Sequence, residues 1–269
     1  MEPIRVLVCG ALGKMGQEVV RAVSAADGMQ VVSVVDVAGE GTDLAHLTGG
    51  APLRVVRDLR KALRDTRPDV MVDFTAPEAV FGNTRTAIEE GVRPVIGSTG
   101  LAAEQRQEIA RMLEEKELGG LVASNFAIGA VLMMEFARQA AVHLEDVEIL
   151  EYHHDRKLDA PSGTALTTAR KIAEVRRSHR QGHPEETELL EGARGAVYEG
   201  IPIHSIRLPG RVAHQEVIFG GLGQILTIRH DSIHRESFMP GVVLAVRRVM
   251  DKAGLVDGLE KILWEKDPC

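Results

Sequence analysis

The sequence predicts an α/β protein with two architectures in series: a parallel sheet whose strands alternate with helices, then a smaller α+β part built on a mixed sheet. Three observations predict it. Short β-branched runs alternate with helical patterns through the first half. A glycine-rich turn stands directly between the first such run and the first helix. From Ile201, β-rich segments follow one another across tight breaks with no helix between them.

Ile4 to Cys9, I-R-V-L-V-C, is a β-branched run suited to a buried strand. Gly10-Ala11-Leu12-Gly13-Lys14-Met15-Gly16 follows at once, and a helical pattern then carries Val19, Val20, Val23 and Ala26 on one side. Gln30 to Val35 is a second strand, and Asp36 ends it. This is the strand, glycine loop, helix, strand, acid order of a Rossmann-type dinucleotide site, here spaced GxxGxxG rather than GxGxxG. The first glycine permits the tight turn, the next lets backbone approach a pyrophosphate, and the last lets helix and strand pack closely. Asp36 stands about twenty residues past the loop, where a carboxylate accepts from both ribose hydroxyls. Val37, Ala38 and Gly39 follow it, with no arginine to meet a 2′-phosphate, which favours NADH. Lys14 and Arg57 are still available to a phosphate, so NADPH stays open.

The alternation continues through strands at Asp69 to Phe74, Arg93 to Gly97 and Gly119 to Ala123. Helices opened by Pro77 and by Ala102 lie between them. Thr75, Gly97-Ser98-Thr99 and Ala123-Ser124-Asn125-Phe126 then fall at the carboxyl ends of strands, where open parallel sheets hold ligands. Their small and amide side chains suit a nicotinamide and its ribose, although a Gly-Ser-Thr-Gly run alone is also an ordinary loop. Ile128 to Val142 reads as a helix in which Met133 and Met134 are core packing.

Asp146 to Tyr152 reads as a strand leading into His153-His154-Asp-Arg156-Lys157-Leu-Asp-Ala-Pro161-Ser162-Gly163-Thr164. Pro161 and Ser162 suit the first positions of a helix that continues through Ala165, Leu166, Ala169, Ile172 and Ala173. Exposed N–H groups at such a start attract anions, as do the cations just upstream. The stretch therefore reads as a pocket for a small, strongly acidic molecule, with histidines as its groups that titrate near neutrality. Arg176 to Gly200 shows no periodicity and is expected to be a loop. Ile201 to Leu208, Val212 to Phe219 and Gln224 to His230 are expected to be neighbouring antiparallel strands, because their connections are short. From Ser237 a helix runs through Val242, Val243, Ala245, Val246 and Val249, with Pro240 in its first turn.

Composition narrows the function. Hydrophobic residues are 44% and charged residues 26% of 269, the balance of a globular protein, and one chain of this length holds one large or two small domains. Aromatics at 3% argue against base-stacking platforms, and a net charge of −7 opposes a nucleic-acid or anionic-membrane partner. Cys9 and Cys269 stand far apart in sequence and suggest neither a disulfide framework nor a metal site, so no metal is expected. No apolar run reaches the roughly 18 residues of a membrane span, and the N-terminus enters a strand pattern directly. A cytoplasmic location is the expectation.

A nucleotide domain followed by an acid-binding turn suggests hydride transfer, with a histidine supplying the accompanying proton. The stretch E-I-L-E-Y-H-H-D-R-K-L-D-A-P-S-G-T-A, Glu148 to Ala165, resembles the signature of the 4-hydroxy-tetrahydrodipicolinate (dihydrodipicolinate) reductase family. The likeness extends to G-A-L-G-K-M-G at Gly10, V-D-F-T at Val72, G-S-T-G at Gly97 and S-N-F at Ser124, and to the late R-L-P-G-R-V-A-H-Q-E-V and S-F-M-P-G-V blocks. It implies NAD(P)H-dependent reduction, with loss of water, to tetrahydrodipicolinate in the diaminopimelate route to lysine. His153 is then the proton donor and Lys157 a second catalytic donor. His154, Gly163 and Thr164 contact the dicarboxylate substrate. Gly10 to Met15, Asp36, Gly97 to Thr99 and Ala123 to Phe126 bind the cofactor. The resemblance also implies a discontinuous dinucleotide domain, 1–125 with 234–269, a substrate and tetramerisation domain, 126–233, and a homotetramer. Two positions depart from the pattern. Lys14 stands where arginine is frequent, keeping the charge and losing the planar fork, and Val37 replaces the arginine of members that use both cofactors. Another Rossmann dehydrogenase for a small imino or amino diacid would share the cofactor site without needing the His-His-x-x-Lys spacing, whereas a non-catalytic NAD(P)H-sensing regulator would need a DNA- or partner-binding surface, for which the sequence shows no basic helix or added module.

Overall fold

The computed structural model describes residues 2–177 and 180–265. The chain forms two compact units, Met1–Ile128 with Phe238–Cys269, and Gly129–Ser237. In chain order the first unit has β1 (Ile4–Cys9), α1 (Lys14–Ala25), β2 (Met29–Val35), β3 (Val55–Val56), α2 (Leu59–Thr66) and β4 (Val70–Asp73). It continues with α3 (Pro77–Glu89), β5 (Arg93–Ile96), α4 (Ala103–Glu115) and β6 (Gly119–Val122). Then come α5 (Ile128–Ala140), β7 (Asp146–His153), α6 (Gly163–Ala173), β8 (Ala196–Tyr198), β9 (Ile201–Arg207), β10 (Ala213–Gly221) and β11 (Gln224–Ser232). The chain returns to the first unit with α7 (Met239–Arg248), β12 (Gly254–Asp257) and α8 (Glu260–Leu263).

The first unit is a seven-stranded, all-parallel sheet in the order β12-β6-β5-β4-β1-β2-β3. Its strands read as continuous apolar runs because both faces are covered. On one side Leu7, Val35 and Met71 of the sheet pack with Leu63 of α2 and Ala87 of α3. Ile96 and Val122 pack with Ile88, Ile109 and Leu113 of α3 and α4. Strand order reverses between β1 and β4, which opens a crevice at their carboxyl ends. Four elements of this unit, β3, α2, β12 and α8, carried too little sequence pattern to be expected. Two-residue β3 has no periodicity to show, and α2 is eight residues begun by Asp58, whose side chain accepts from Lys61 N at 2.9 Å.

The second unit is a mixed five-stranded sheet in the order β11-β10-β7-β9-β8. Here one expectation is corrected. Ile201–Arg207 and Ala213–Gly221 are not neighbours: β7 lies between them, parallel to β9 and antiparallel to β10. The short link from Leu208 steps over the end of β7, where Leu208 N donates to His153 O at 3.0 Å. A five-residue connection is long enough to cross one intervening strand, since strands lie about 4.8 Å apart. The 176–200 region is also not wholly loop, because Ala196–Tyr198 forms edge strand β8 against β9. Pro161 stands one residue outside the helix: Ser162 is the N-cap, and its Oγ accepts from Ala165 N at 3.2 Å. Met133 and Met134 are buried, as core residues should be. Cys9 is buried and free, while Cys269 lies outside the described residues. Among the described residues no helix is long and apolar enough to cross a membrane.

Candidate active site

In the first unit the glycine loop wraps the end of β1. Gly10 takes φ +76°, and a Cβ there would lie 2.8 Å from Phe74 O. A Cβ on Gly16 would lie 2.0 Å from Gly10 O, so the last glycine lets α1 press on the loop backbone itself. Val35 O accepts from Gly10 N at 2.9 Å and from Ala11 N at 3.3 Å, which ties loop to β2. Asp36 Oδ2 accepts from Leu12 N at 3.0 Å and Oδ1 from Ala38 N at 3.1 Å. The carboxylate therefore holds the loop's shape as well as facing the crevice. A cavity of about 400 Å³ is lined by Gly10, Leu12, Gly13, Asp36, Val37 and Arg57, with Phe74 and Thr75 on the β4 side.

This arrangement fits a dinucleotide. Gly13 precedes α1 and has no side chain to cap it, so no N-cap group competes for the first-turn N–H groups at Lys14 and Met15. Ala11 is fully buried and does not line this cavity. Gly97, Ser98 and Thr99 follow β5, and Ala123, Ser124, Asn125 and Phe126 follow β6; they do not line this cavity. Several of them serve its frame. A Cβ on Gly97 would lie 2.2 Å from the Phe74 ring, and that ring packs on Phe126 with centroids 5.8 Å apart. Ser98 Oγ donates to Asp73 Oδ1 at 2.9 Å. Asp73 was not anticipated. Fully buried, it accepts from Thr75 N at 2.8 Å, Thr75 Oγ1 at 2.6 Å and Asn83 Nδ2 at 2.9 Å, joining β4, α3 and the β5 end. The acid at the end of an otherwise apolar strand was the signal available for it.

In the second unit β7 ends at His153, and the turn after it carries the remaining expected residues. Glu151 and His153 are two apart and so share a strand face. His153 Nδ1 lies 2.5 Å from Glu151 Oε2. Arg207, paired with His153 in the β7–β9 register, grips the same carboxylate through two bonds of 2.9 and 2.7 Å. Ser162 N adds a fourth donor at 3.3 Å. Burial alone would push the Glu151 carboxyl up, but hydrogen bonds from His153, Arg207 and Ser205 outweigh it and bring it down to about 2. Glu151 is therefore ionised near neutrality and can only accept. Nδ1 of His153 then carries its proton toward Glu151, which leaves Nε2 for other chemistry.

His154 points its Nδ1 into a buried place with no partner. Lys157 Nζ is held by Asp159 at 2.7 and 2.9 Å, and this bond keeps the Asp159 carboxyl below its usual range. Gly163 is exposed at the start of α6, and a Cβ there would meet nothing within 4 Å. His153, His154, Lys157, Gly163 and Thr164 all lie between the end of β7 and the first turn of α6. Glu151 and Arg207 were missed. Glu151 had a signal, since it continues the buried alternation of Val147 and Ile149 as a charged residue. Arg207 had none. Among the described residues no group of three or more His, Cys, Asp or Glu is placed to hold a metal.

Two family models match the chain, one described as dihydrodipicolinate reductase, N-terminus, over residues 4–126 and the other as dihydrodipicolinate reductase, C-terminus, over residues 129–263. A 4-hydroxy-tetrahydrodipicolinate reductase of Geobacillus kaustophilus is 55% identical over 262 residues, 97% of this chain and 99% of that protein. Another from Bacillus pumilus is 52% identical, covering 97% of this chain and 98% of its own. A dipicolinate-bound dihydrodipicolinate reductase from Paenisporosarcina sp. TG-14 superposes with a TM-score of 0.88 at 52% identity, over 97% of this chain and 100% of that one. The chain belongs to the dihydrodipicolinate reductase family.

Proposed function

We propose that the protein is an NAD(P)H-dependent 4-hydroxy-tetrahydrodipicolinate reductase of the diaminopimelate route to lysine. The observation that carries the reading is the His153–Glu151 pair beside the turn to α6, in a chain whose relatives over nearly full length bear that name. The cofactor, when bound, supplies a hydride. The substrate loses water to a conjugated N=C–C=C system, takes the hydride on the far alkene carbon, and needs a proton on the alkene carbon next to the imine. His153 Nε2 delivers that proton while Nδ1 stays bonded to Glu151. His154, and the N–H groups of Gly163 and Thr164 at the start of α6, hold the substrate carboxylates. Lys157 is the second donor and exchanges its bond to Asp159 for the diacid.

Gly10 to Met15 hold the pyrophosphate, Asp36 the ribose, and Gly97 to Thr99 with Ala123 to Phe126 the nicotinamide end. Asp36 followed by exposed Val37 supports a preference for NADH, and Arg57 on the same cavity keeps NADPH usable. The first unit is accordingly the dinucleotide domain and the second the substrate domain. Leu222 and Ile225, exposed where β10 turns into the edge strand β11, support assembly of this domain into a homotetramer. A cytoplasmic location goes with this role.

The test is turnover of enzymatically generated substrate followed by NADH absorbance. His153→Gln should lower kcat by about 10²–10⁴-fold with NADH affinity unchanged. An equal loss of NADH binding counts against the assigned role. A crystal soaked with both ligands should show the turn after β7 facing the nicotinamide, and a turn pointing away overturns the assignment.

A further inference from the structure

We propose that Glu151 and Arg207 are positioning residues: one buried ion pair that sets the tautomer of His153 and the placement of the Asp159–Ser162 turn together. The inference rests on His153 being the proton donor. Its basis is the bonds that tie the pair to the site; Ser205 also bonds the carboxylate, and Arg207 Nη1 also donates to Ile206 O at 2.9 Å. Glu151 Oε2 faces His153 Nδ1 at 2.5 Å and Arg207 Nη1 at 2.9 Å. Its Oε1 faces Arg207 Nη2 at 2.7 Å and Ser162 N at 3.3 Å. Arg207 Nη2 donates again, to Asp159 O at 2.8 Å. Each carboxylate oxygen thus has one partner from Arg207 and one from the reacting region. One of those partners is the proton donor. The other is the N-cap of α6, the residue directly before the proposed carboxylate cradle at Gly163.

The fold does not need a charge here. Glu151 is fully buried, between the apolar Ile149 and His153 on one strand face. Replacing a buried ion pair by apolar groups of like volume is generally neutral or stabilising. What the pair supplies is geometry. A carboxylate offers only acceptors, so Nδ1 must carry a proton and Nε2 is the nitrogen that exchanges one with substrate. The planar fork of Arg207 fixes the carboxylate's rotation, and its second bond to Asp159 O fixes the turn to the same point. Donor and cradle therefore cannot shift independently.

Glu151→Gln presents an amide NH₂ toward one of the two donors. It should lower kcat at least about 10²-fold, the scale seen when a proton-transferring histidine is held in the wrong tautomer. NADH affinity should be unchanged. The decisive readout is a double-mutant cycle with His153→Gln, in which Glu151→Gln should lower kcat by no more than about threefold once His153 is gone. Imidazole ¹⁵N NMR should show the His153 Nδ1 signal, protonated in the parent, change in the variant. Because breaking a buried pair risks unfolding, the neutral pair Glu151→Gln/Arg207→Gln is measured beside it and should lose kcat to the same degree. A full additional loss in the His153→Gln background, or a neutral pair with parental kcat and unchanged imidazole signals, overturns the proposal. Parental kcat in His153→Gln alone would instead remove the proton-donor reading, in a separate arm of the same cycle, and the proposal with it.

Discussion

Gly163→Ala pulls stability and substrate affinity in opposite directions. In the folded protein Gly163 lies outside the left-handed region, is exposed, and offers an added Cβ only open space within 4 Å. The methyl therefore costs no strain. It does restrict the unfolded chain, a change that stabilises by about 0.4–1 kcal/mol. For a chain of this size that raises Tm by roughly 1–4 °C. On the proposed reading, that open space is where a substrate carboxylate reaches the N–H groups at the start of α6. If that N–H holds a substrate carboxylate, losing one charge-assisted bond costs about 1.5–3 kcal/mol, or roughly 10- to 150-fold in KM for the diacid. Calorimetry of the free enzyme and initial rates by NADH absorbance check both signs. A Tm lowered by several degrees would refute the open-space reading. An unchanged KM would refute the carboxylate cradle.

Gly16→Ala should be the opposite case: its Cβ would sit 2.0 Å from Gly10 O, so the loop must move, lowering Tm by several degrees and NADH affinity at least tenfold in a fluorescence titration. Asp36→Ala should weaken NADH more than NADPH, measured as side-by-side KM values, because it removes the ribose acceptor while relieving repulsion of a 2′-phosphate; the reverse order would overturn the NADH preference. Acid should act partly through Glu151. Its carboxyl is lowered in the folded protein from an ordinary 4.5 to about 2, so the stability it brings is complete above pH 4.5 and lost as pH falls toward about 2. The whole share is on the order of 3 kcal/mol, of which about 2 kcal/mol is read as the difference between urea unfolding at pH 5.5 and pH 3, and Glu151→Gln should lose that part of the pH dependence.

The local features were readable from residues alone. The β1–α1 turn needs Gly10 because of its own φ and the backbone it touches. The Val19, Val20 and Val23 stripe buries one face of α1 whatever lies opposite. The same holds for the apolar strands of the parallel sheet and for the turn that starts α6. Two-residue β3 is too short to show a period and exists because β2 supplies its hydrogen bonds, as β6 does for β12, and residue order says nothing of that.

Pairing decided the rest. Short links made β9 and β10 look adjacent, yet β7 divides them, and this insertion brings Arg207 to the end of β7. Arg207 and Glu151 lie 56 residues apart, so no periodicity or spacing connects them. Residue pattern alone was enough for the main strands and helices of the parallel sheet and for the turn that starts α6, because backbone sterics and side-chain alternation act over a few residues. Alternation along β7 already puts Glu151 on the face of His153, but which cations and backbone groups grip Glu151 was settled only on folding. Those partners are chosen by sheet register, and register is set by the whole strand at once.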